Sequence, residues 1–370
     1  MRDVLDDLLR WWTAGQPAGL ATVVATWRSA PRPAGAAMLV GPDGTAVGSV
    51  SGGCVEAAVY ERAGAVVAGA PPQLCRFGVS DDDASAVGLT CGGVIDVFVE
   101  RVDRAGFPEL GRAASAIRDG TPVAVLTCLD GGPDRLGRHL VVWPDRTAGT
   151  LGGARLDAAA ADDSRGLLAA GRTGTLRYGH DGQRRGDGLT VFVAGYAPPP
   201  RMIVFGAIDF AAAVTRIGAF LGYRVTVCDA RPVFATARRF PDAAEVVVDW
   251  PHRYLRGQAD AGRLDRRTVL CVLTHDPKFD APLLEVALRL DVGYVGAMGS
   301  RRTHDERLAR LRAAGLTTAQ LARLSSPVGL DLGARTPEET AVSIAAEIIA
   351  TRWDGTGQRL ADLPGRIHHD

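Results

Sequence analysis

Residues 202–229 read MIVFGAIDFAAAVTRIGAFLGYRVTVCD, and this stretch decides the fold class of the second half of the chain. The apolar run Met202–Phe205 precedes Gly206, a helical pattern follows over Ala211–Leu221, and a second apolar run leads to Asp229. A strand, a glycine turn, a helix, a strand and an acidic residue in this order are typical of a nucleotide-binding βαβ unit.

Short apolar runs and helical segments continue to alternate after this unit. The runs lie at Ala244–Val248, Thr268–Leu273 and Val292–Val295, and Leu283–Leu290 has a helical pattern. Alternation of strands and helices is the signature of a doubly wound parallel sheet. The second half is therefore predicted to be a Rossmann-like domain of the α/β class.

Two helix starts in this half have the residues of a capping box, in which a hydroxyl and an acidic side chain satisfy free backbone N–H groups. Thr303 with Glu306 predicts one start. Thr336 with Glu339 predicts the other, where Pro337 adds a residue that is favourable at the first helical position.

The dinucleotide fingerprint itself is altered. An intact fingerprint has a second glycine that lets a pyrophosphate approach the backbone, but here Ile208 stands at that position. Asp209 places a negative charge where a phosphate would lie. Both differences argue against NAD or NADP in the usual pose, although Asp229 remains a candidate acceptor for a ribose hydroxyl. The favoured role of this fold is packing and partner contact, and an NAD(P)-dependent oxidoreductase is the disfavoured alternative.

Three consecutive prolines mark the domain boundary. The segment Ala197–Pro200 cannot continue a helix or a central strand, and its prolines stiffen a connector. We predict a first domain over residues 1–196, a proline linker over 197–201 and a second domain over 202–370.

The first half mixes helical and strand patterns. Residues 3–13 have apolar side chains at helical spacing and are predicted to form an amphipathic helix, and Cys54–Ala68 has a second helical pattern. Runs typical of strands lie at Leu20–Trp27, Ala36–Val40, Val94–Val102, Val123–Cys128, Leu140–Trp143 and Leu189–Ala194. The first domain is therefore predicted to be a mixed α/β domain.

Composition argues against several classes of function. The 370 residues have a formal net charge of zero, so bulk electrostatics point neither to nucleic acid nor to an anionic membrane surface. The first residues lack the basic and apolar regions of a secretory signal, and no apolar run is long enough to span a bilayer. The six cysteines form no C-x-x-C pair, which argues against a zinc ribbon or a disulfide framework. We expect a cytoplasmic protein with reduced thiols.

Two cysteines are flanked by glycines, in Ser51-Gly52-Gly53-Cys54-Val55-Glu56 and in Gly88-Leu89-Thr90-Cys91-Gly92-Gly93. Glycine removes side-chain bulk beside the thiol, and cysteine supplies the soft sulfur that transition metals and metal–dithiolene cofactors prefer. Buried structural cysteines beside tight turns show the same pattern. On this pattern alone, both interpretations remain open.

Longer stretches around these cysteines resemble the XdhC/CoxI family of maturation factors for molybdenum hydroxylases. In the first half they are residues 26–35 (TWRSAPRPAG), 48–56 (GSVSGGCVE), 78–83 (GVSDDD) and 88–93 (GLTCGG). In the second half they are residues 247–251 (VVDWP), 273–278 (LTHDPK), 296–303 (GAMGSRRT) and 329–339 (GLDLGARTPEE). The resemblance runs along nearly the whole chain. It departs at residues 206–209, where the family has the shape Gly-Ala-Gly-His.

The resemblance implies a chaperone rather than a turnover enzyme. Family members bind a molybdopterin-type molybdenum cofactor, shield it from oxidation, allow a cysteine desulfurase to sulfurate it and pass it to the apo-hydroxylase. Whether the cofactor carries an added cytidine nucleotide is left open, and a homodimer is the default expectation. A scaffold that bridges desulfurase and hydroxylase without binding cofactor is the second alternative.

The resemblance also implies site residues. Cys91 matches the family's cofactor-holding cysteine and is the candidate metal ligand, with Gly92 and Gly93 as amide donors to the pterin or phosphate. Cys54, with Gly52 and Gly53, is the second candidate.

Further residues are weaker site candidates. Arg28 and Arg32 either pair with the cofactor phosphate or are solvated surface residues. Ser300 and Arg301 either cradle a phosphate or belong to ordinary helix-cap chemistry. His275, at the end of a predicted buried strand where α/β proteins bind ligands, and Asp229 complete the candidate site.

Overall fold

The computed structural model describes residues 1–363 except Arg28, Ser29, Pro31, 79–92, Arg185, Asp187 and His275. The chain divides into two compact units, and the division falls between Pro198 and Pro199. Each unit has its own sheet system and its own apolar core. Within the described residues, none of the helices combines the length and the apolar character needed to cross a lipid bilayer.

The first unit contains two antiparallel sheets of five strands each. The first sheet comprises β1–β5: Ala18–Trp27, Ala37–Val40, Ala46–Gly48, Gln73–Gly78 and Val94–Val102. The second sheet comprises β6–β10: Val123–Cys128, His139–Val142, Thr147–Gly149, Gly174–Tyr178 and Leu189–Tyr196. The strand orders are β3-β2-β1-β5-β4 and β8-β7-β6-β10-β9.

The described residues of this unit form a short 3-10 helix at Arg2–Val4 and four α-helices: α1 (Leu5–Thr13), α2 (Glu56–Val67), α3 (Leu110–Arg118) and α4 (Ala154–Ala169). Alternate residues of a strand point to opposite faces of its sheet. Buried apolar side chains from one face of each sheet pack together in a shared core. Helix α2 packs on the outer face of the first sheet, and α4 packs on the outer face of the second. Sequence patterns did not predict α4, because its alanine-rich sequence gives little contrast between faces.

The second unit is a parallel sheet of six strands in the order β13-β12-β11-β14-β15-β16. The strands β11–β16 are Arg201–Phe205, Arg224–Asp229, Glu245–Val248, Val269–Val272, Tyr294–Ala297 and Leu324–Ser325. The helices α5–α10 are Asp209–Phe220, Pro251–Asp260, Pro277–Ala287, Arg301–Ala313, Thr318–Leu321 and Pro337–Trp353.

Helices cover both faces of this sheet. Helices α5 and α10 pack on one face, over Val204 and Val225, and α6, α7 and α8 pack on the other, over Phe205 and Leu270. Strands buried on both faces read as continuous apolar runs, which is why the sequence revealed them. The predicted α/β class, with a mixed first domain and a doubly wound second domain, is confirmed.

One of the two predicted helix starts is correct. Thr336 accepts a hydrogen bond from Glu339 N, and the Glu339 carboxylate accepts from Thr336 N, so α10 begins with the predicted capping box. The start predicted at Thr303 is wrong, because α8 begins at Arg301. Ser300 is the N-cap residue, and its hydroxyl accepts from Thr303 N at 3.2 Å.

Candidate functional site

Several predicted site residues lie in connections that leave the first sheet at one end. Trp27 and Gly78 both pair with Val94, so β1 and β4 end, and β5 begins, at the same end of the sheet. Strand β3 runs in the same direction as β1 and β4 but is shorter at this end, because Gly48, its last residue, pairs with Met38, which pairs with Ala21. The connections β1–β2, β3–α2 and β4–β5 therefore all lie on the same side of the sheet, and the β3–α2 connection starts further back than the other two.

These three connections contain the predicted residues of the first half. Arg28 and Arg32 belong to β1–β2, the segment from Gly52 to Cys54 belongs to β3–α2, and Cys91 to Gly93 belong to β4–β5. Arg28, Cys91 and Gly92 lie outside the described residues, as does His275 in the second unit. Gly93 is described and is buried at the start of β5.

The connection between β3 and α2 is organised around the carboxylate of Glu56. Five backbone N–H groups donate to the two carboxylate oxygens, and so do the hydroxyls of Ser49 and Ser51. The amide donors are those of Val50, Ser51, Gly52, Gly53 and Val55. The hydroxyl of Ser49 lies 2.6 Å from Oε1, and that of Ser51 donates to Oε2. Burial of Glu56 raises its pKa, but the hydrogen bonds from Ser49 and Ser51 outweigh burial and lower the pKa to about 2.

Glycine is required in this loop by its backbone conformation. Gly52 and Gly53 have φ angles of +83° and +124°, a region that residues with a Cβ rarely adopt. These angles turn successive N–H groups inward to form an anion-binding nest. The nest holds the chain's own carboxylate instead of a ligand.

This geometry limits what Gly52 and Gly53 can offer to a ligand. Their amide hydrogens already bond to Glu56, so they are not available as donors to a cofactor. What the two glycines offer is bare Cα surface, because a Cβ built on either would meet no described atom within 4 Å. Cys54 follows directly, half-buried, and its backbone N–H donates to the hydroxyl of Ser51 at 3.0 Å.

The same end of the sheet carries an ion pair that the sequence did not indicate. Arg76 on β4 donates two hydrogen bonds to Asp96 on β5, at 2.7 and 2.9 Å. Its guanidinium also lies over the ring of Trp27, 4.7 Å from the centroid. Arg32 lies 3.6 Å from Asp3 in a loose pair. Cationic and aromatic groups thus lie at the edge from which the cysteine connections leave.

The second unit places Asp229 where a ribose-binding carboxylate would be expected, but its acceptor positions are filled. Ala207 N donates to one oxygen at 2.7 Å. Arg231 donates three more hydrogen bonds, from its backbone N–H and two guanidinium nitrogens. The Asp229 side chain is only 3% exposed, and Arg231 lies over it. A ribose hydroxyl would therefore have to displace Arg231, which weighs against the role predicted for Asp229.

Electrostatics at Asp229 agree with this geometry. Burial raises the pKa of its carboxyl group, but the hydrogen bonds from Arg231 and Ala207 outweigh burial and hold the pKa below its usual value. The neighbouring turn is closed as well, since Arg239 donates to the carbonyl of Ala207 at 3.1 Å and pairs with Asp209 at 3.2 Å. The chain's own arginines therefore occupy the turn that binds dinucleotides in other Rossmann domains.

Ser300 and Arg301 lie at the start of α8, which follows β15. In the sheet, β15 is separated by β14 and β11 from β12, the strand that ends at Asp229. The Ser300 hydroxyl caps the helix, while Arg301 is exposed. No group of three or more histidine, cysteine, aspartate or glutamate side chains is placed to hold a metal ion in the described part of the chain. Cys91 lies outside the described residues, and its role as a metal ligand stays a prediction.

These observations define a class of protein with two α/β units. In the first unit, cysteines occur in the chain segments that connect β3 to α2 and β4 to β5; the second unit is a Rossmann fold whose dinucleotide-binding turn is altered. Family models place the chain within that class. The model described as the XdhC and CoxI family matches residues 11–78 and 116–179, and the XdhC Rossmann domain model matches residues 202–348. The chain belongs to the XdhC and CoxI family.

Individual relatives extend along most of the chain. A Bacillus subtilis protein named as a probable xanthine dehydrogenase subunit is 29% identical over 342 residues, which cover 91% of this chain and 94% of the relative. The Escherichia coli molybdenum cofactor insertion chaperone PaoD is 26% identical, over 92% of this chain and 85% of its own. A crystal structure described as a xanthine dehydrogenase from Bacillus halodurans superposes with a TM-score of 0.67 at 26% identity, covering 97% and 98% of the two chains.

Proposed function

We propose that this protein is a molybdenum-cofactor chaperone that binds a molybdopterin-type cofactor, protects it and delivers it to a molybdenum hydroxylase. The observation that carries the proposal is the β3–α2 loop of the first sheet, which sets Cys54 beside two glycines over which no described atom lies, on the side of the sheet where the β1–β2 and β4–β5 connections also lie. Similarity to PaoD, named a molybdenum cofactor insertion chaperone, supports the same function.

The residues at this edge have the chemistry that such a cofactor needs. When bound, the cofactor supplies a redox-active molybdenum centre held by dithiolene sulfurs, and thiolate is a ligand that soft metals accept. Cys91 would hold the metal side, with Cys54 nearby. Gly52 and Gly53 would let the planar pterin approach the backbone, because neither has a side chain and no described atom fills the space.

Charge at the edge would favour the phosphate end of the cofactor. Among the described residues, Arg32 pairs with Asp3 at 3.6 Å, a loose contact that a phosphate could replace at small cost. Arg28 would add a second cation. The molybdopterin and cytidine dinucleotide forms would differ in how many phosphates these arginines meet.

The wider assignments follow from the same proposal. A cysteine desulfurase would sulfurate the held cofactor, an apo-hydroxylase of the xanthine dehydrogenase or carbon monoxide dehydrogenase type would receive it, and the protein would act in the cytoplasm as a homodimer. Use of NAD(P) by the second unit is disfavoured, because Arg231 already pairs with the buried carboxylate of Asp229.

Cofactor retention tests the proposal. The protein would be purified without oxygen from a host that makes the cofactor, and bound molybdenum and oxidised-pterin fluorescence would be measured. We expect both signals in the wild type and a loss of most of them in Cys91→Ser. Absence of molybdenum and pterin from the wild type would refute the function and favour a scaffold that binds no cofactor.

Cys128→Ser is the matched control. Cys128 is buried on β6, its thiol donates to the carbonyl of Asp130 at 3.1 Å, and burial raises its pKa. Because this thiol is buried and hydrogen-bonded within its own unit, its substitution should leave retention near the wild-type level. Equal retention in the two variants would remove Cys91 from the site.

A further inference from the structure

The first unit contains one arrangement of elements twice. Each sheet is built from three antiparallel strands, a helix on the outer face and two more strands, and each follows a leading helix, α1 or α3. The strand orders are the same once the second set is renumbered. The family model also matches two stretches of similar length, residues 11–78 and 116–179, which cover equivalent elements.

Equivalent glycines end the third strand of each copy. Gly48 and Gly149 have φ angles of +83° and +86°. A Cβ on Gly48 would lie 2.4 Å from the carbonyl oxygen of Ala37, and one on Gly149 would lie 2.5 Å from that of His139. Both carbonyls belong to the first residue of the preceding strand, so the two turns are the same turn.

The loops that follow use the same carboxylate device. Glu56 and Asp157 each stand eight residues after the turn glycine of their copy. The hydroxyl next to that glycine donates to the carboxylate in both copies, from Ser49 at 2.6 Å and from Thr150 at 2.7 Å. Equal spacing and equal hydrogen bonds at two places in one chain indicate a duplicated module.

The two copies differ where a ligand would lie. Arg155 stands at the position of Cys54. The Arg135 side chain covers Gly152, where a Cβ would lie 3.0 Å from its Cγ, and its guanidinium donates to the carbonyl of His180 at 2.9 Å. The second loop is thus covered by the chain itself, whereas no described atom covers the first.

The carboxylates differ as well. Glu56 gathers seven donors from the residues before it, whereas the described contacts of the Asp157 carboxylate are those from Thr150 Oγ1 and Leu151 N, each at 2.7 Å. Both acceptors are carboxylates, so the difference between the copies lies in the number of described hydrogen bonds, seven against two. The first loop is therefore held far more firmly than the second.

Resting on the proposed function, we infer that Glu56 is a positioning residue, which fixes the loop 49–55 so that Cys54 and the bare glycine surface face the cofactor. The second copy keeps the turn and the carboxylate but presents no thiol, so the first copy alone holds cofactor. Glu56 touches no cofactor in this role, because its oxygens point into the loop.

Glu56→Gln is the informative substitution. It keeps the size and shape of the side chain, but the amide nitrogen is a donor and would face the N–H groups of Gly53 and Val55. The N–H groups of the loop then face one acceptor oxygen instead of two, and the negative charge is gone. Asp157→Asn is the matched control, since it makes the same change in the other copy.

Two measurements on the full chain need no cofactor. Amide hydrogen exchange over residues 50–55 should accelerate by about tenfold or more in Glu56→Gln, because hydrogen bonds to a charged acceptor are lost. Iodoacetamide should modify Cys54 faster, while Cys75, which is also half-buried, reacts at an unchanged rate. Asp157→Asn should change neither readout.

Molybdenum retention then links positioning to function. We expect Glu56→Gln to lose most bound molybdenum and Asp157→Asn to keep it. Unchanged exchange and unchanged Cys54 modification in Glu56→Gln would overturn the positioning role, whether or not the wild type holds molybdenum. Absence of molybdenum from the wild type with faster exchange in Glu56→Gln would instead overturn the proposed function and leave positioning of the loop upheld.

Discussion

Replacement of Arg307 by methionine is expected to be among the most destabilising single changes in the second unit. Arg307 on α8 pairs with Asp280 on α7 at 3.1 Å, and the two side chains are 4% and 8% exposed. The same guanidinium donates to the carbonyl of Met298 at 2.9 Å and to the hydroxyl of Ser326 at 2.8 Å. Methionine keeps the length of the side chain and removes every donor.

The expected cost follows from burial. Removal of one partner of a buried ion pair costs about 3–5 kcal/mol, because the other charge is left without compensation. Asp280 keeps the hydrogen bond from the hydroxyl of Thr274, which places Arg307→Met near the lower limit, at about 3 kcal/mol. The double variant Asp280→Leu/Arg307→Met removes the stranded charge and should be more stable than Arg307→Met by about 1–2 kcal/mol.

The assay must separate the two units, since a chain with two cores does not unfold as one transition. Urea titration of the full chain, read by hydrogen exchange of peptides from α7 and α8, reports on the second unit. Peptides from β6 and β10 serve as the internal control. The reasoning would be refuted if Arg307→Met lowered the free energy of unfolding by less than about 1 kcal/mol. It would also be refuted if the loss in the double variant equalled the summed losses of Arg307→Met and Asp280→Leu measured separately.

Three other predictions concern single positions. The lowered pKa of Glu56 stabilises the fold above pH 4.5, and this contribution is lost as pH falls towards 2; discounted for partial exposure it amounts to about 1–2 kcal/mol. In urea titrations read by hydrogen exchange of peptides from β1 and β5, the stabilities of wild type and Glu56→Gln should therefore approach each other between pH 6 and pH 3, and a constant difference would contradict this prediction. Thr336→Ala should cost the second unit about 1 kcal/mol through loss of the α10 cap, measured by hydrogen exchange of α10 peptides in a urea titration. Gly48→Ala should cost more than about 2 kcal/mol, since its Cβ meets the Ala37 carbonyl, whereas Gly52→Ala should cost about 1 kcal/mol; similar losses would show that the clash is relieved.

The second unit was largely predictable because its strands are buried on both faces. Such strands appear as apolar runs of four to six residues between helical patterns, and β11, β12 and β14 lie where those runs predicted them. Strand β16 was not predicted, since Leu324–Ser325 is too short to form a pattern. The start of α8 was misplaced because Thr303 resembles a cap in sequence, while Ser300 lies where the chain turns.

The duplication of the first unit was hidden in the sequence. Few of the positions that define it are identical in the two copies, and the shared pattern is a turn glycine, a hydroxyl and an acid, as in Gly48, Ser49 and Glu56. A comparison of the chain with itself at an offset of about 100 residues would have found that signal. The paired strand orders reveal it directly.

The two α/β units, the family resemblance and the glycine-flanked cysteines could be recognised in the amino-acid sequence, because apolar periodicity and long motifs are local properties of the chain. Which polar groups remain free to bind a ligand depends on the fold. Glu56 takes the amides of Gly52 and Gly53, and Arg231 takes Asp229, so groups that look like ligand-binding donors and acceptors are already satisfied. Buried donors and acceptors are satisfied by hydrogen-bond partners, and the amino-acid sequence does not show which groups the fold will bring within bonding distance.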